Sequence, residues 1–110
     1  MIQVWHMRKE VRDANPMSWL KAPGDVVDLE EYEFVGVADT EDLDRAYYLS
    51  QNLEGAWGFN VGAWSKDLEV RSTSIGDVLV RVGIVYVVGV CAIAQVDTVL
   101  NGKKIHEVGI

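Results

Sequence analysis

From Val78 to Val90 the chain reads VLVRVGIVYVVGV, and most of these side chains branch at Cβ. Such residues lose rotamer freedom in a helix and pack well on a pleated surface. The uncharged stretch that follows Arg81, roughly 82–95, contains two glycines and is shorter than the ~20 residues a membrane-spanning helix needs. The run therefore predicts strands. A reversal is expected near Arg81–Ile84, with Gly83 supplying a positive φ. GVCAIAQV extends the strand pattern, and DTVLNGKKIHEV adds Asn101-Gly102, a dipeptide favoured in tight hairpins. Upstream, LEVRS (68–72) alternates like a strand and TSIGD turns. A sheet must dominate the C-terminal half.

The N-terminal half supplies two more strands and a helix. IQVWHM (2–7) alternates, with Ile2, Val4 and His6 on one side. RKEVRDANPMSWLKAPGD reads as loop, with turn signals at Asn15-Pro16 and Pro23-Gly24 and a helical turn around Ser18–Lys21. YEFVGVA (32–38) predicts a strand with Tyr32, Phe34 and Gly36 on one face and Val35 and Val37 on the other. Thr40 then caps a helix over about residues 40–53. Glu41 and Asp42 fall in its first turn, where the helix dipole favours negative charge. Leu43, Ala46, Tyr47, Ser50, Leu49 and Leu53 form its apolar stripe, and Gly55 ends it. EGAWGFNVGAWSKD has no period and reads as irregular edge structure. Trp57 and Trp64 there are either lids over a small core or an exposed recognition surface. The expected fold class is α+β: a mainly antiparallel sheet with one principal helix packed on one face, in a single domain spanning 1–110.

With 49% apolar residues and four Trp, the chain can build a core without metal or disulfide staples. The single Cys91 has no disulfide partner and lies in VVGVCAIA, which predicts a buried, inert thiol. No cofactor is implied. MIQVWHMRKEVR lacks the pattern of a secretory leader, so a cytoplasmic location with no membrane association is expected. Net charge is −7, unevenly placed: residues 1–24 carry +2, residues 25–44 carry −9 with no Lys or Arg, and the remainder balances. Binding driven by phosphate contacts needs the opposite sign, so nucleic acid is a poor partner.

RSTSIGDV (71–78) is the most patterned stretch. It is neither a G-x-S-x-G nucleophile elbow nor a phosphate loop. Ser72, Thr73 or Ser74 would act as nucleophile only with an imidazole in hydrogen-bond reach, and the chain offers His6 and His106. A histidine bonded to one of these hydroxyls inside a pocket would favour chemistry over contact. The structural alternative is that hydroxyls and Asp77 bond nearby amides, Gly76 relaxes the backbone, and Arg71 pairs with Asp77 across the turn. The acidic DTEDLD segment lacks the Gly and distal Glu of a calcium loop, and no metal site is expected. If its carboxylates were scattered and each neutralised by a base, a docking role for them would be weakened.

LDRAYYLSQNLEGAW followed by RSTSIGDVLV and YVVGV resembles a family of small proteins carried by actinobacterial phages and other mobile elements. The matching residues are Val37-Ala38, Leu43, Ala46, Tyr47, Leu49, Gln51, Asn52, Trp57, Arg71 to Val78 and Tyr86, across about residues 33–90. Cys91-Ala92-Ile93 replaces a Gly-aromatic pair and Val82-Gly83 replaces an Asp-Gly turn. The resemblance implies a phage accessory protein and brings no catalytic residue with it. The leading expectation is a non-catalytic protein that binds a host or phage protein, for instance inhibiting a host nucleic-acid-binding protein through acidic segment 25–44. Glu41, Asp42 and Asp44 would supply charge, and Trp57 and Trp64 the apolar anchor. A homo-oligomer through the apolar C-terminal hairpin is a further expectation. The alternatives are a nucleotide-binding or hydrolytic module using Arg71, Ser72, Thr73, Ser74, Gly76 and Asp77, direct nucleic-acid binding through Arg8, Lys9, Arg12 and the Trp residues, and a structural virion component.

Overall fold

The computed structural model describes residues 1–15, 17, 25–100 and 102–105. The helical turn expected at Ser18–Lys21, the Pro23-Gly24 turn, Asn101 and His106 lie outside them. Strand β1 (Ile2–Met7) leads into a short helix, α1 (Lys9–Ala14). Next come β2 (Val26–Asp28), a one-turn 3₁₀ helix at Leu29–Glu31 and β3 (Tyr32–Ala38). Helix α2 (Leu43–Leu49), a 3₁₀ turn at Trp57–Phe59 and β4 (Ala63–Ser65) follow. The C-terminal part holds β5 (Val78–Arg81), β6 (Ile84–Val88), β7 (Ile93–Gln95), β8 (Asp97–Leu100) and β9 (Lys103–Ile105).

Six strands form an antiparallel sheet in the order β4-β3-β1-β5-β6-β7; β2, β8 and β9 form a second, smaller one. The architecture is α+β, as the order of strand and helix signals predicts. The large sheet buries both faces over its central strands. One face carries Ile2, Val4 and Leu79, and α2 covers it with Ala46 and Leu49, together with Trp57 and Val70. The other carries Val78, Val80, Val85 and Val87, covered by Val27, Leu29 and Val96 of the small sheet and its flanks. That second face is why the β-branched run is apolar almost without alternation: its strands are buried on both sides. Among the described residues no helix is long and apolar enough to cross a membrane.

Several local expectations are corrected. The face assignment along β3 fails because of a bulge: Val4 pairs with Gly36 but Trp5 with Phe34, leaving Val35 as the extra residue. The alternation slips there, so Tyr32, Val35 and Gly36 are buried while Phe34 is exposed. Lys9–Ala14 is helical where a loop was expected; six residues are too few to display a helical period, and none of them is buried. Helix α2 is shorter than 40–53. Asp42 caps it by accepting from the Arg45 amide, while Thr40 accepts from Asp42 N one turn earlier. It stops at Ser50, whose Oγ donates back to the carbonyls of Ala46 and Tyr47, and Leu53 is exposed. Residues 68–72 form no strand, although Val70 is buried. Cys91 is exposed in the turn between β6 and β7, where the Gly89 amide bonds the Ala92 carbonyl. An apolar sequence neighbourhood does not bury a residue at a chain reversal.

Candidate functional site

The RSTSIGD segment is organised around Asp77, which is 0% exposed. Arg71 grips it bidentately, Nη1 to Oδ2 at 2.6 Å and Nη2 to Oδ1 at 2.8 Å. The amides of Met7 and Ser74 donate to the same carboxylate at 2.9 and 2.8 Å. Charge-assisted bonds of this kind are the strong ones, and a buried carboxylate needs them. Several other polar groups of the segment are tied inward as well, while Ser74 lines a small surface pocket with Arg12, Tyr47 and Ile75. Thr73 N donates to the Ser50 carbonyl, Gln51 Nε2 donates to the Thr73 carbonyl, and Ser72 Oγ accepts from Asn52 N. The Trp57 indole N–H donates to the Arg71 carbonyl, and the Tyr32 hydroxyl to the Gly76 carbonyl at φ +94° of Gly76. Burial holds the Tyr32 hydroxyl well above its ordinary range, so it remains a donor. The predicted Arg71–Asp77 pair is present, and the motif staples β1, the end of α2 and the start of β5 together.

One feature that would favour chemistry is present. His6 Nε2 lies 2.8 Å from Thr73 Oγ1. Its surroundings differ from those of an activated nucleophile. Thr73 is 1% exposed and is not among the residues lining the adjoining cleft. The nearest carboxylate, Asp77, stands 3.9 Å from the same imidazole nitrogen that faces Thr73, whereas a triad places the carboxylate on the opposite nitrogen. Burial lowers the His6 pKa from 6.5 to about 4, aided by Arg71 and Arg12 and opposed by Asp77. A neutral imidazole bonded to this buried hydroxyl ties β1 to the segment that precedes β5. Among the described residues no group of His, Cys, Asp and Glu is arranged to hold a metal ion.

The anchor residues divide. Trp57 is fully buried in the core under α2, so it is withdrawn as a contact residue: its ring packs on the apolar side of the sheet and its N–H is taken by Arg71. Trp64 is 52% exposed on β4. It does not stand alone. Phe34 lies beside it with ring centroids 6.4 Å apart, and Trp5 meets Phe34 edge-on at 6.0 Å. The three rings cross neighbouring strands β4, β3 and β1. The small sheet covers the far strands of this face but leaves this part open. Phe34 and Trp5 escaped the sequence reading because their partner strands were unknown.

The acidic window also divides. Asp28 caps the 3₁₀ turn and Asp42 caps α2. Glu33 pairs with Lys66, and Glu41 with the N-terminal ammonium. Residues 25–31 are separated from residues 39–44 by the length of β3, roughly 20 Å. The segment 25–44 is thus not a single charged face, and Asp28, Glu33, Glu41 and Asp42 are engaged in caps or ion pairs. Asp39 and Asp44 remain exposed. Asp39 follows Val37, the partner of Trp64, by two residues, about 7 Å along the strand, and its amide bonds the Gly62 carbonyl. No protein-family model, curated protein or solved structure matches the chain.

Proposed function

We propose that the chain is a non-catalytic accessory protein that docks a partner protein on the open aromatic part of its large sheet. The observation that carries this reading is the Trp5–Phe34–Trp64 stripe, partly exposed where the small sheet stops. Aromatic rings held by a sheet lose little entropy on binding, and contiguous exposed apolar surface marks interaction sites. Asp39, two residues beyond Val37 and its partner Trp64, sets an exposed carboxylate beside the β4 end of the stripe. Charge complementarity therefore selects a partner with an apolar ridge flanked by a basic side chain. A host nucleic-acid-binding protein has that chemistry, and a phage or mobile-element accessory role is the reading that the RSTSIGDV resemblance favours.

The test uses the protein as affinity bait in wild-type form, as Trp64→Ala, and as the charge reversal Asp39→Lys. Each substitution lies on exposed positions, so melting temperatures are expected to stay close to wild type. A protein held by the wild type and lost from both variants supports the reading. Equal retention on all three baits, or nothing held specifically by the wild type, overturns it.

A further inference from the structure

The two edges of the large sheet are finished differently. At the β4 edge, the bonds from Lys66 N to the Val35 carbonyl and from Asp39 N to the Gly62 carbonyl leave Ala63 and Ser65 facing outward. Both are guarded. The Ala63 amide donates to the Asn60 carbonyl, and the 3₁₀ turn lies against Ser65, where a Cβ on Gly58 would fall 3.0 Å from the Ser65 nitrogen. At the β7 edge, the bonds from Val96 N to the Val85 carbonyl and from Gly89 N to the Ala92 carbonyl turn Ala92, Ala94 and Val96 toward β6. Alternation then points the N–H and C=O of Ile93 and Gln95 away from the sheet. Among the described residues, no strand or turn meets them there. Native sheets blunt such an edge with Lys, Pro or a bulge. Residues 89–96 read GVCAIAQV, with no charge and no Pro.

The free groups also select what fits them. A second copy of β7, antiparallel about a twofold axis at Ala94, sets Ile93 of each copy opposite Gln95 of the other. Every outward N–H and C=O of the two strands is then used. An axis one residue earlier enlists Cys91 of the turn instead. An axis one residue later enlists Asp97, which belongs to β8 and is already paired in the small sheet. The net charge of −7 on each copy acts only at long range, because the joined segments are uncharged and salt screens the remainder. We propose that two copies of the chain pair through β7, continuing the large sheet across a twofold axis at Ala94. The aromatic stripe lies on β4, β3 and β1, toward the other end of the sheet, so the inference is independent of the partner-docking reading.

Sedimentation equilibrium of the full chain, in about 0.3 M salt to screen the net charge, reads the association. The mass is expected to rise with concentration from 12.3 kDa toward twice that value. Gln95→Pro removes one outward donor from each copy without touching the β6 ladder, and is expected to weaken association about thirtyfold. The register is read separately. In a Cys91→Ser background, Ala94→Cys places two thiols on facing residues of a non-hydrogen-bonded pair, within disulfide reach, so mild oxidation is expected to give a covalent dimer. In the wild type the exposed Cys91 stands about 20 Å from its counterpart and is expected not to cross-link. A chain that stays monomeric up to about 1 mM, well above the range of specific pairs, overturns the proposal. Equal association of Gln95→Pro overturns it too, as does cross-linking through Cys91 but not through Ala94→Cys. Should Gln95→Pro fail to fold, the wild-type mass and the thiol pair still decide.

Discussion

At the scale of single residues, Asp77 is the position on which most depends. Its carboxylate collects Arg71, the amides of Met7 and Ser74, and the fringe of Arg12. Replacing one partner of a buried pair leaves the other charge uncompensated. Asp77→Asn is expected to destabilise the fold by about 3–5 kcal/mol in denaturant titrations; a loss below about 1 kcal/mol would show that the Arg71 grip is dispensable. His6 supplies a pH-dependent counterpart. Its pKa is lowered from 6.5 to about 4 in the fold, chiefly by burial. As pH falls through 6.5 the unfolded chain takes up a proton that the folded chain refuses until about pH 4. Stability present at neutral pH is therefore lost across that window, by on the order of 3 kcal/mol. Comparing His6→Gln with the wild type between pH 7 and 4 isolates the contribution. The same slope in both proteins would contradict it.

Individual elements carry strain and crowding that a residue-by-residue view hides. The β5–β6 hairpin turns through Val82 at φ +51° and Gly83 at φ +77°. Gly83 adopts that region freely, but a β-branched side chain there costs about 1–2 kcal/mol. Val82→Asn, which converts the turn to Asn-Gly, is expected to stabilise the protein by about 1 kcal/mol, measured by chemical denaturation. No gain would mean that packing of Val82 offsets its backbone strain. Where β3 passes β4, Gly36 shows the opposite constraint. A Cβ there would overlap the Trp64 carbonyl oxygen and Cη2 of Trp57. Gly36→Ala should destabilise by more than about 2 kcal/mol, since the obstacle includes backbone. Retained stability would require β4 to shift away, which loss of the Val37–Trp64 pairing would reveal.

Over the whole molecule the decisive fact is unequal coverage of one large sheet. Helix α2 and the 50–75 region close one side, whereas on the other the cover reaches β5–β6, Met7 and Tyr32 but leaves Phe34 and Trp64 exposed. The aromatic surface that results is a property of the assembly, not of any one strand. Intrinsic fluorescence reads it directly: Trp57 is shielded, Trp5 is half-buried and Trp64 is open. Trp64→Phe is expected to remove a red-shifted, acrylamide-quenchable component while leaving the melting temperature close to wild type. Unchanged quenching would place Trp64 under cover. The charge pattern follows the same logic, because the acidic window is contiguous along the chain yet β3 carries its two parts to opposite ends of a strand.

Periodicity and residue type were enough for the α+β class, the strands at 2–7, 32–38 and 78–88, the positive φ of Gly83 and the Arg71–Asp77 pair. Each depends on residues near one another in sequence, whose backbone preferences and side-chain reach are local. Tertiary structure alone decided that His6 meets Thr73, that Trp5, Phe34 and Trp64 share a surface, and that Arg12 reaches Asp77. It also decided that Cys91 is exposed and Trp57 is not. Those outcomes depend on strand order, a single bulge at Val35 and which layer covers which face. They are set by burial summed over the whole chain, to which no short stretch of sequence has access.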